Sequence, residues 1–199
     1  VNTPGRKRRR AHVDFNLPKG LVDYLDELDR FIEAEIKPLE DADDNIRFFD
    51  HRREHARTDW DKGGLPRHEW EQLLREARRR ADKAGHFRFA LGKELGGSAR
   101  DVGCGPNLAM AVIREHFAAK GLGLHNDLQN EHSIVGNFPF VNMFEHFGTP
   151  EQQQEFILGG FAMTHRVAFG LTEPDHGSDA THMETRAVRE TRDGVPGWR

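Results

Sequence analysis

The chain has 199 residues, of which 36% are hydrophobic and 31% charged, a balance typical of a folded protein rather than a disordered one. Its formal net charge of −4 argues against nucleic-acid binding through overall charge, and its one cysteine, Cys104, cannot form an internal disulfide. A reducing compartment and a cytoplasmic location are therefore expected, with no membrane span, because no apolar run approaches the roughly 20 residues that such a helix needs.

Both ends of the sequence read as cuts. The chain begins with Val1 instead of methionine and stops at Arg199, directly after a turn-rich stretch. We therefore expect a fragment of a longer protein. Residues 1–12 contain the basic run Lys7–Arg10, which is typical of a solvated, disordered tail, although such runs also occur in nucleic-acid contacts and targeting signals.

The first part of the chain carries helical periodicity. Pro18 suits the first turn of a helix, and apolar residues then recur at spacings of three and four up to Ile36. Pro38 is expected to end this first helix. Thr149 followed by Pro150 indicates the start of a later helix. The further helices are predicted at about 66–84, 106–120 with Leu108 facing inward, 128–147 with Pro139 as a kink, and 149–158.

The pattern changes period near residue 163. Apolar and small residues alternate over 167–172, which predicts a strand that Glu173-Pro174 ends. A second strand is predicted over Thr185–Glu190, followed by a turn at 193–197. The fold class is therefore α+β, with an all-helical part followed by the first strands of a β domain.

The strand and the loop after it form a candidate binding site. Gly170 and Thr172 would lie on one face, where small side chains let a flat ring approach the backbone. Gly177 and Ser178 follow in a turn whose backbone N–H groups can bind phosphate oxygens. These features indicate a site for a flat, phosphorylated cofactor, but an ordinary β-turn after an edge strand has the same pattern.

The stretch FGLTEPDHGSD at residues 169–179 resembles the TEP-x-x-GSD signature of acyl-CoA dehydrogenases at all six defined positions. The KELGG loop at 93–97 and the FGTPEQ stretch at 147–152 are also similar to that family. The resemblance covers residues 13–199. It implies a helical N-terminal domain over 13–162 and the truncated start of a β-barrel-like middle domain over 163–199.

The resemblance also implies which residues contact FAD. Thr172 would hydrogen-bond the pyrimidine side of the flavin ring, and Gly177 and Ser178 would lie near the diphosphate. Ser178 would also face the acyl-CoA substrate. The complete set of FAD contacts that the family implies is Phe169, Gly170, Leu171, Thr172, Gly177 and Ser178.

For the full-length protein, the resemblance implies FAD-dependent α,β-dehydrogenation of an acyl-CoA thioester in fatty acid metabolism. It further implies an electron-transfer flavoprotein as acceptor and a homo-oligomer. The family's glutamate base belongs to a later domain, so no catalytic residue is assigned, and the 199-residue chain alone is expected to be inactive. Extra residues over 98–105 depart from the family's usually shorter loop, so the family's pocket wall is not carried over there. The long charged segment 40–65 indicates an unusual or bulky acyl group.

Other functions remain open at this point. An acyl-CoA oxidase or a flavin monooxygenase of the same fold would share the signature, whereas a non-catalytic helical module would bind through the basic tail. The stretch His51–His55 matches the H-x-x-E-H pattern of zinc hydrolases, but a solvated charged segment is the simpler interpretation. The polar group at His125, Asp127, Glu131 and His132 is better explained by a helix entry, so no metal site is predicted.

Overall fold

The computed structural model describes residues 15–97, 100–126, 133–136, 138–165, 167–168 and 170–199. The chain divides into two compact units, Val1–Pro139 and Phe140–Arg199. The predicted tail over residues 1–12 lies outside the described residues. Among the described residues, none of the helices combines the length and the apolar character needed to cross a membrane.

The first unit consists mainly of helices. One short antiparallel ladder interrupts them, in which Thr58 pairs with Pro66 and Asp59 with Leu65. The prediction that this part is wholly helical is therefore wrong. Gly63 and Gly64 have φ values of 77° and 80°, which glycine adopts without strain and which let the chain reverse here. In chain order the elements are α1 (Lys19–Phe31), α2 (Lys37–Asp41), β1 (Thr58–Asp59), β2 (Leu65–Pro66), α3 (His68–Lys83) and α4 (Pro106–Ala119).

Pro38 does not end the first helix, contrary to the prediction. A π-helical turn over Ile32–Ile36 joins α1 to α2, and its last bond runs from the Lys37 N–H to the Ile32 carbonyl. Proline lacks an N–H and crowds the carbonyl four residues earlier, so helices accept it best in their first turn. The wide π turn makes Pro38 a first-turn residue of α2, and the chain stays helical to Asp41.

Apolar faces of α1, α3 and α4 supply half of the buried apolar residues described in the first unit. In α4 the buried row is Ala109, Ile113 and Phe117, each 0% exposed, which repeats every four residues. Leu108 is 54% exposed, so its predicted inward orientation is wrong, because the row one position later faces the core. The matching buried residues are Leu21, Tyr24, Leu25 and Leu28 in α1 and Trp70, Leu73, Leu74, Ala77 and Ala81 in α3.

The second unit begins with helices and ends with a hairpin. The fourth predicted helix begins at Pro139 rather than near 128. Residues 133–136 are non-helical, and 127–132 lie outside the described residues. Pro139 is thus a first-turn residue rather than a kink. The elements are α5 (Pro139–Phe147), α6 (Pro150–Gln152), a π turn (Gln153–Ile157), α7 (Leu158–Phe161), β3 (Arg189–Arg192) and β4 (Val195–Trp198).

Thr149 caps the helix that follows it, as predicted. The Gln152 N–H donates to the Thr149 hydroxyl at 3.3 Å, and the Thr149 N–H donates to Gln152 Oε1 at 2.9 Å. This reciprocal pair satisfies two backbone donors that the first helical turn leaves free. The helical path then continues to Phe161, beyond the predicted end at Leu158.

The strands of the second unit differ from the prediction. β3 begins at Arg189, later than the predicted Thr185, and pairs with β4. Asp193 and Gly194, with φ values of 51° and 79°, form the two-residue turn between them. The described residues within 167–172 belong to no strand, because no described segment pairs with them. The β-barrel-like domain is not confirmed, since each sheet formed by the described residues has two strands, and the domain division at 162/163 stays a prediction.

Truncation of the buried row of α4 is expected to destabilise the first unit. Ile113→Ala leaves a cavity in the core and should lower the free energy of unfolding by about 2–5 kcal/mol. Leu108→Ala on the same helix, at an exposed position, should change it by no more than about 0.5 kcal/mol. Denaturant unfolding followed by helical circular dichroism measures both, and equal losses would contradict the assigned core face.

The Thr149 cap gives a second stability prediction. Thr149→Ala removes the hydroxyl that accepts the Gln152 N–H and should cost about 0.5–2 kcal/mol of unfolding free energy. Thr149→Ser keeps a hydroxyl acceptor and should lie close to the wild type. Thermal unfolding compares the three proteins, and a Ser variant as unstable as the Ala variant would rule out the cap as the cause.

Candidate functional site

The signature segment forms a solvent-exposed loop of the second unit. All described members of the set assigned by the resemblance are exposed, while Phe169 lies outside the described residues. Their exposure leaves their backbone and side chains accessible to a ligand. The exposed members are Gly170, Leu171, Thr172, Gly177 and Ser178.

A tight turn lies at the centre of the signature. The Glu173 N–H donates to the His176 carbonyl at 3.0 Å, and the His176 N–H donates back to the Glu173 carbonyl at 3.3 Å. Pro174 stands at the first middle position of this turn, where its fixed φ is favourable. Gly177 and Ser178 therefore leave the turn directly after a closed pair of backbone hydrogen bonds.

The side chain of Glu173 joins the turn to a later part of the chain. Its Oε2 accepts the Glu184 N–H at 2.8 Å, and its Oε1 accepts the Thr185 N–H at 2.9 Å. Both carboxylate oxygens are thus engaged by backbone donors 11 and 12 residues away. We call the Glu173 carboxylate with the two amides of Glu184 and Thr185 the carboxylate clamp.

Asp179 forms hydrogen bonds with residues that lie between Glu173 and Glu184 in the sequence. Its Oδ1 accepts from the Thr181 N–H at 3.1 Å and from the Thr181 hydroxyl at 2.5 Å. Its Oδ2 lies 2.6 Å from His182 Nδ1. Asp179 thereby caps the short 3₁₀ turn over Ala180–His182, and it fixes the chain immediately after Ser178.

Both carboxylates are stabilised in their charged form. The pKa of Glu173 is lowered, chiefly by the Glu184 N–H and then by the hydroxyl and N–H of Thr185. The pKa of Asp179 is lowered by the Thr181 hydroxyl, by His182 and by the Thr181 N–H. Hydrogen bonds to an ionised carboxylate favour the ion, so these two contacts hold throughout the neutral range.

Two histidines lie beside the loop. His176 Nε2 is 3.6 Å from Glu184 Oε1, and the rings of His176 and His182 have their centroids 6.5 Å apart at an interplanar angle of 29°. Each imidazole thus faces one carboxylate. Among the described residues, no three side chains of His, Cys, Asp or Glu are placed to hold a metal ion.

The loop has room for a ligand at its glycines. A Cβ atom built on Gly170 or on Gly177 would meet nothing within 4 Å. Within the part of the chain that the structure describes, no hydrogen bond engages Thr172, Gly177 or Ser178. Their donors thus engage no partner among the described residues, and the backbone of the two glycines is open to a flat or phosphorylated group.

The two other polar groups noted in the sequence are described only in part. His51–Ala56 is a 3₁₀ segment whose helical geometry is interrupted at Arg53, so an α-helical H-x-x-E-H face does not form. Of the polar group near residue 130, Asp127, Glu131 and His132 lie outside the described residues. His125 is 1% exposed and its ring packs edge-on against Phe117, with centroids 5.8 Å apart.

The glycine loop at 93–97 closes on itself. Lys93–Leu95 forms a 3₁₀ turn, and the Gly97 N–H donates to the Gly92 carbonyl at 2.9 Å. A Cβ on Gly97 would lie 2.1 Å from the Leu91 carbonyl oxygen, so the tight closure requires glycine there. Ser98 and Ala99 of the extra stretch lie outside the described residues, and the role of this loop in an acyl pocket stays a prediction.

Sequence reasoning missed the two carboxylates that shape the loop. An Asp two residues before a Thr is a local capping pattern, so the capping role of Asp179 could have been predicted from the sequence. The hydrogen bonds of Glu173 could not, because its partners lie 11 and 12 residues away and are backbone amides, which no residue type marks. The sequence therefore indicated the exposed residues of the loop, and the structure adds the residues that hold it.

Comparison with known proteins identifies relatives of this chain. It is 31% identical over 106 residues to the "Caffeyl-CoA reductase-Etf complex subunit CarC" of Acetobacterium woodii, covering 53% of this chain and 25% of the relative. It is 32% identical over 108 residues to the "Acyl-CoA dehydrogenase" of Bacillus subtilis, covering 54% and 26%. It is 29% identical over 152 residues to the mitochondrial "Long-chain specific acyl-CoA dehydrogenase" of Mus musculus, covering 72% and 32%.

The matches cover only part of each relative. The chain spans about a quarter to a third of the length of the curated relatives it matches. No protein-family model matches the chain, and no solved structure matches it. At about 30% identity over about half of its length, this chain is similar to several members of the acyl-CoA dehydrogenase family.

Proposed function

We propose that the full-length protein is an FAD-dependent oxidoreductase that forms the α,β double bond of an acyl-CoA thioester. In this proposal the loop that contains Thr172 and Ser178 supplies part of the flavin site. The single observation that carries the proposal is the exposure, on one loop, of all described residues that the resemblance assigns to FAD, and this loop is held by its own carboxylates. The similarity to relatives named as acyl-CoA dehydrogenases supports the same activity.

Each proposed contact uses a group that the loop leaves accessible. The hydroxyl and N–H of Thr172 suit the polar edge of the flavin ring, which carries both donors and acceptors. The backbone amides of Gly177 and Ser178 suit diphosphate oxygens, because consecutive amides in a turn attract anions. The Ser178 hydroxyl is proposed to face the acyl-CoA. Gly170, Leu171 and Phe169 are proposed to contact the ring through their backbone.

The reaction needs more than this chain supplies. A base removes the α-proton, the β-hydrogen leaves with its electron pair, and the carbon–carbon double bond forms between the two positions. When bound, the flavin accepts that hydride, which is the redox part of the reaction. The residues of this chain bind and orient the reactants. The base is not assigned to any of them.

The proposed partners follow from the family and from one relative. The Acetobacterium relative is named as a subunit of a reductase–Etf complex, and we propose an electron-transfer flavoprotein as the acceptor here. A homo-oligomer, a role in fatty acid metabolism and a cytoplasmic location are further proposals. The oxidase and monooxygenase alternatives differ in their use of oxygen, which an oxygen-consumption assay with an acyl-CoA would detect.

Reduction of an unsaturated acyl-CoA is a second candidate function. The same relative is named as a caffeyl-CoA reductase, and its identity to this chain is similar to that of the dehydrogenases. The two candidates share a flavin site and differ only in direction. Assays with saturated acyl-CoA plus an electron acceptor, and with enoyl-CoA plus a reduced flavoprotein, distinguish them by which substrate turns over.

The loop contacts predict which substitutions weaken FAD binding. Thr172→Val and Ser178→Ala each remove one hydroxyl, and the loss of a neutral hydrogen bond is about 0.5–1.5 kcal/mol, or roughly 2- to 10-fold in Kd. FAD titration of the full-length apoprotein, followed by flavin fluorescence, measures the change. Thr191→Val is the matched control, because Thr191 is an exposed threonine of β3 outside the loop, and its Kd should equal that of the wild type.

Two results would overturn this proposal. A full-length protein that is colourless and cannot be reconstituted with FAD would remove the cofactor on which the activity depends. Equal FAD affinity in the wild type, the two loop variants and the Thr191 control would show that the flavin binds elsewhere.

A further inference from the structure

We propose that Glu173 is a positioning residue for the flavin site, which acts by clamping the loop through the backbone amides of Glu184 and Thr185. This inference rests on the proposed function and deepens it. The resemblance assigned no role to Glu173, and the proposal treats it neither as a ligand of the cofactor nor as a catalytic base.

The clamp closes a ring of chain around the donors of the site. Glu173 bonds to residues 11 and 12 positions later, so Gly177 and Ser178 lie between its two ends. The backbone pair between Glu173 and His176 fixes one side of this ring. Asp179 fixes the next residues through Thr181 and His182. Ser178 is thereby held from both sides by bonds that do not involve its own donors.

Polar bonds are the main source of order in this region. No described residue from 167 to 199 is buried, so this stretch has no apolar core beneath it. A loop loses conformational entropy when it is fixed, and without apolar burial the compensation must come from hydrogen bonds. The clamp is the longest-range side-chain contact among the described residues of this stretch, and its loss should release the loop.

The bonding of Glu173 gives its side chain a structural role. Its Oε1 and Oε2 each accept a backbone N–H from a distant part of the chain. These bonds favour the ionised carboxylate, which accepts strong hydrogen bonds. Turning the carboxylate towards a substrate would break the bonds that hold the loop.

Electrostatics and the clamp predict opposite effects of neutralising Glu173. FAD carries a negative diphosphate, so removal of a nearby negative charge should, by charge alone, leave its binding unchanged or strengthen it. The clamp predicts weaker binding, because Glu173→Gln replaces one acceptor oxygen by an NH₂ group that faces a backbone N–H. Asp175→Asn removes the same charge from the same loop at an exposed residue outside the clamp, and it separates the two explanations.

The test combines two measurements on the full-length protein. Hydrogen–deuterium exchange of the peptide containing Glu184 and Thr185 reports the clamp without FAD, and FAD titration reports its consequence. We expect Glu173→Gln to exchange at least about 10-fold faster at these amides and to bind FAD at least about 10-fold more weakly, the size expected for a charge-assisted bond. Asp175→Asn should match the wild type in exchange and bind FAD as well or better.

The outcomes separate the clamp from the proposed function. Unchanged exchange in Glu173→Gln would overturn the clamp, and faster exchange with wild-type FAD affinity would overturn its positioning role. A similar loss of FAD affinity in Asp175→Asn would also overturn it, since charge would then be the cause. If the wild type itself binds no FAD, the proposed function is wrong and the flavin-positioning role falls with it, even where the exchange difference establishes the clamp.

A pH profile adds a readout that a general loss of stability would not move. The lowered pKa of Glu173 means that the clamp is fully formed above the usual glutamate pKa of about 4.3 and is lost as the pH falls through the lower folded value. After correction for intrinsic exchange, wild-type protection at Glu184 and Thr185 should persist below the usual glutamate pKa and then disappear as the pH falls further. Glu173→Gln should show no such step, and a step in that variant would contradict the assignment.

Discussion

The bond between one carboxylate and two distant backbone amides determines the shape of the candidate site. Glu173 accepts the N–H groups of Glu184 and Thr185 at 2.8 and 2.9 Å, in a stretch with no buried described residue. Without that contact, only the local turn at Glu173–His176 and the bonds of Asp179 would hold the exposed loop that carries the donors of Gly177 and Ser178. A phosphorylated cofactor binds best to donors that are already oriented, because less conformational entropy is then lost on binding. The acidic residue of the signature therefore matters through the backbone it holds.

Much of the helical structure of the chain could be predicted from local patterns, and the errors in this prediction have physical causes. The cap at Thr149 and the bounds of α3 and α4 follow from local residue types, so the sequence predicts them well. The prediction that Pro38 ends the first helix is wrong because a π turn precedes this proline, and no residue pattern in the sequence marks such a turn. Leu108 was assigned inward because two rows of α4 are apolar, and only tertiary packing selects the one through Ile113.

In the candidate site, too, features set by neighbouring residues could be predicted from the sequence, and features set by long-range contacts could not. Alternation predicted a strand over 167–172, but a strand requires a hydrogen-bonded neighbour, and the described residues of this segment have none. The exposed donors at Thr172 and Ser178 were recognised from the signature, because their residue types and spacing define it. The clamp was not recognised from the sequence, since its donors are backbone amides. The residue types of the site could thus be predicted, whereas the long-range contacts that arrange them could not.

A structure of the full-length protein with FAD bound tests the central claim most directly. We expect the flavin diphosphate to lie within hydrogen-bond distance of the Gly177 or Ser178 amides, and the edge of the flavin ring to contact Thr172. Glu173 should still accept the amides of Glu184 and Thr185. A flavin bound away from this loop, or a Glu173 side chain turned from those amides to contact the cofactor or the acyl-CoA, would contradict it.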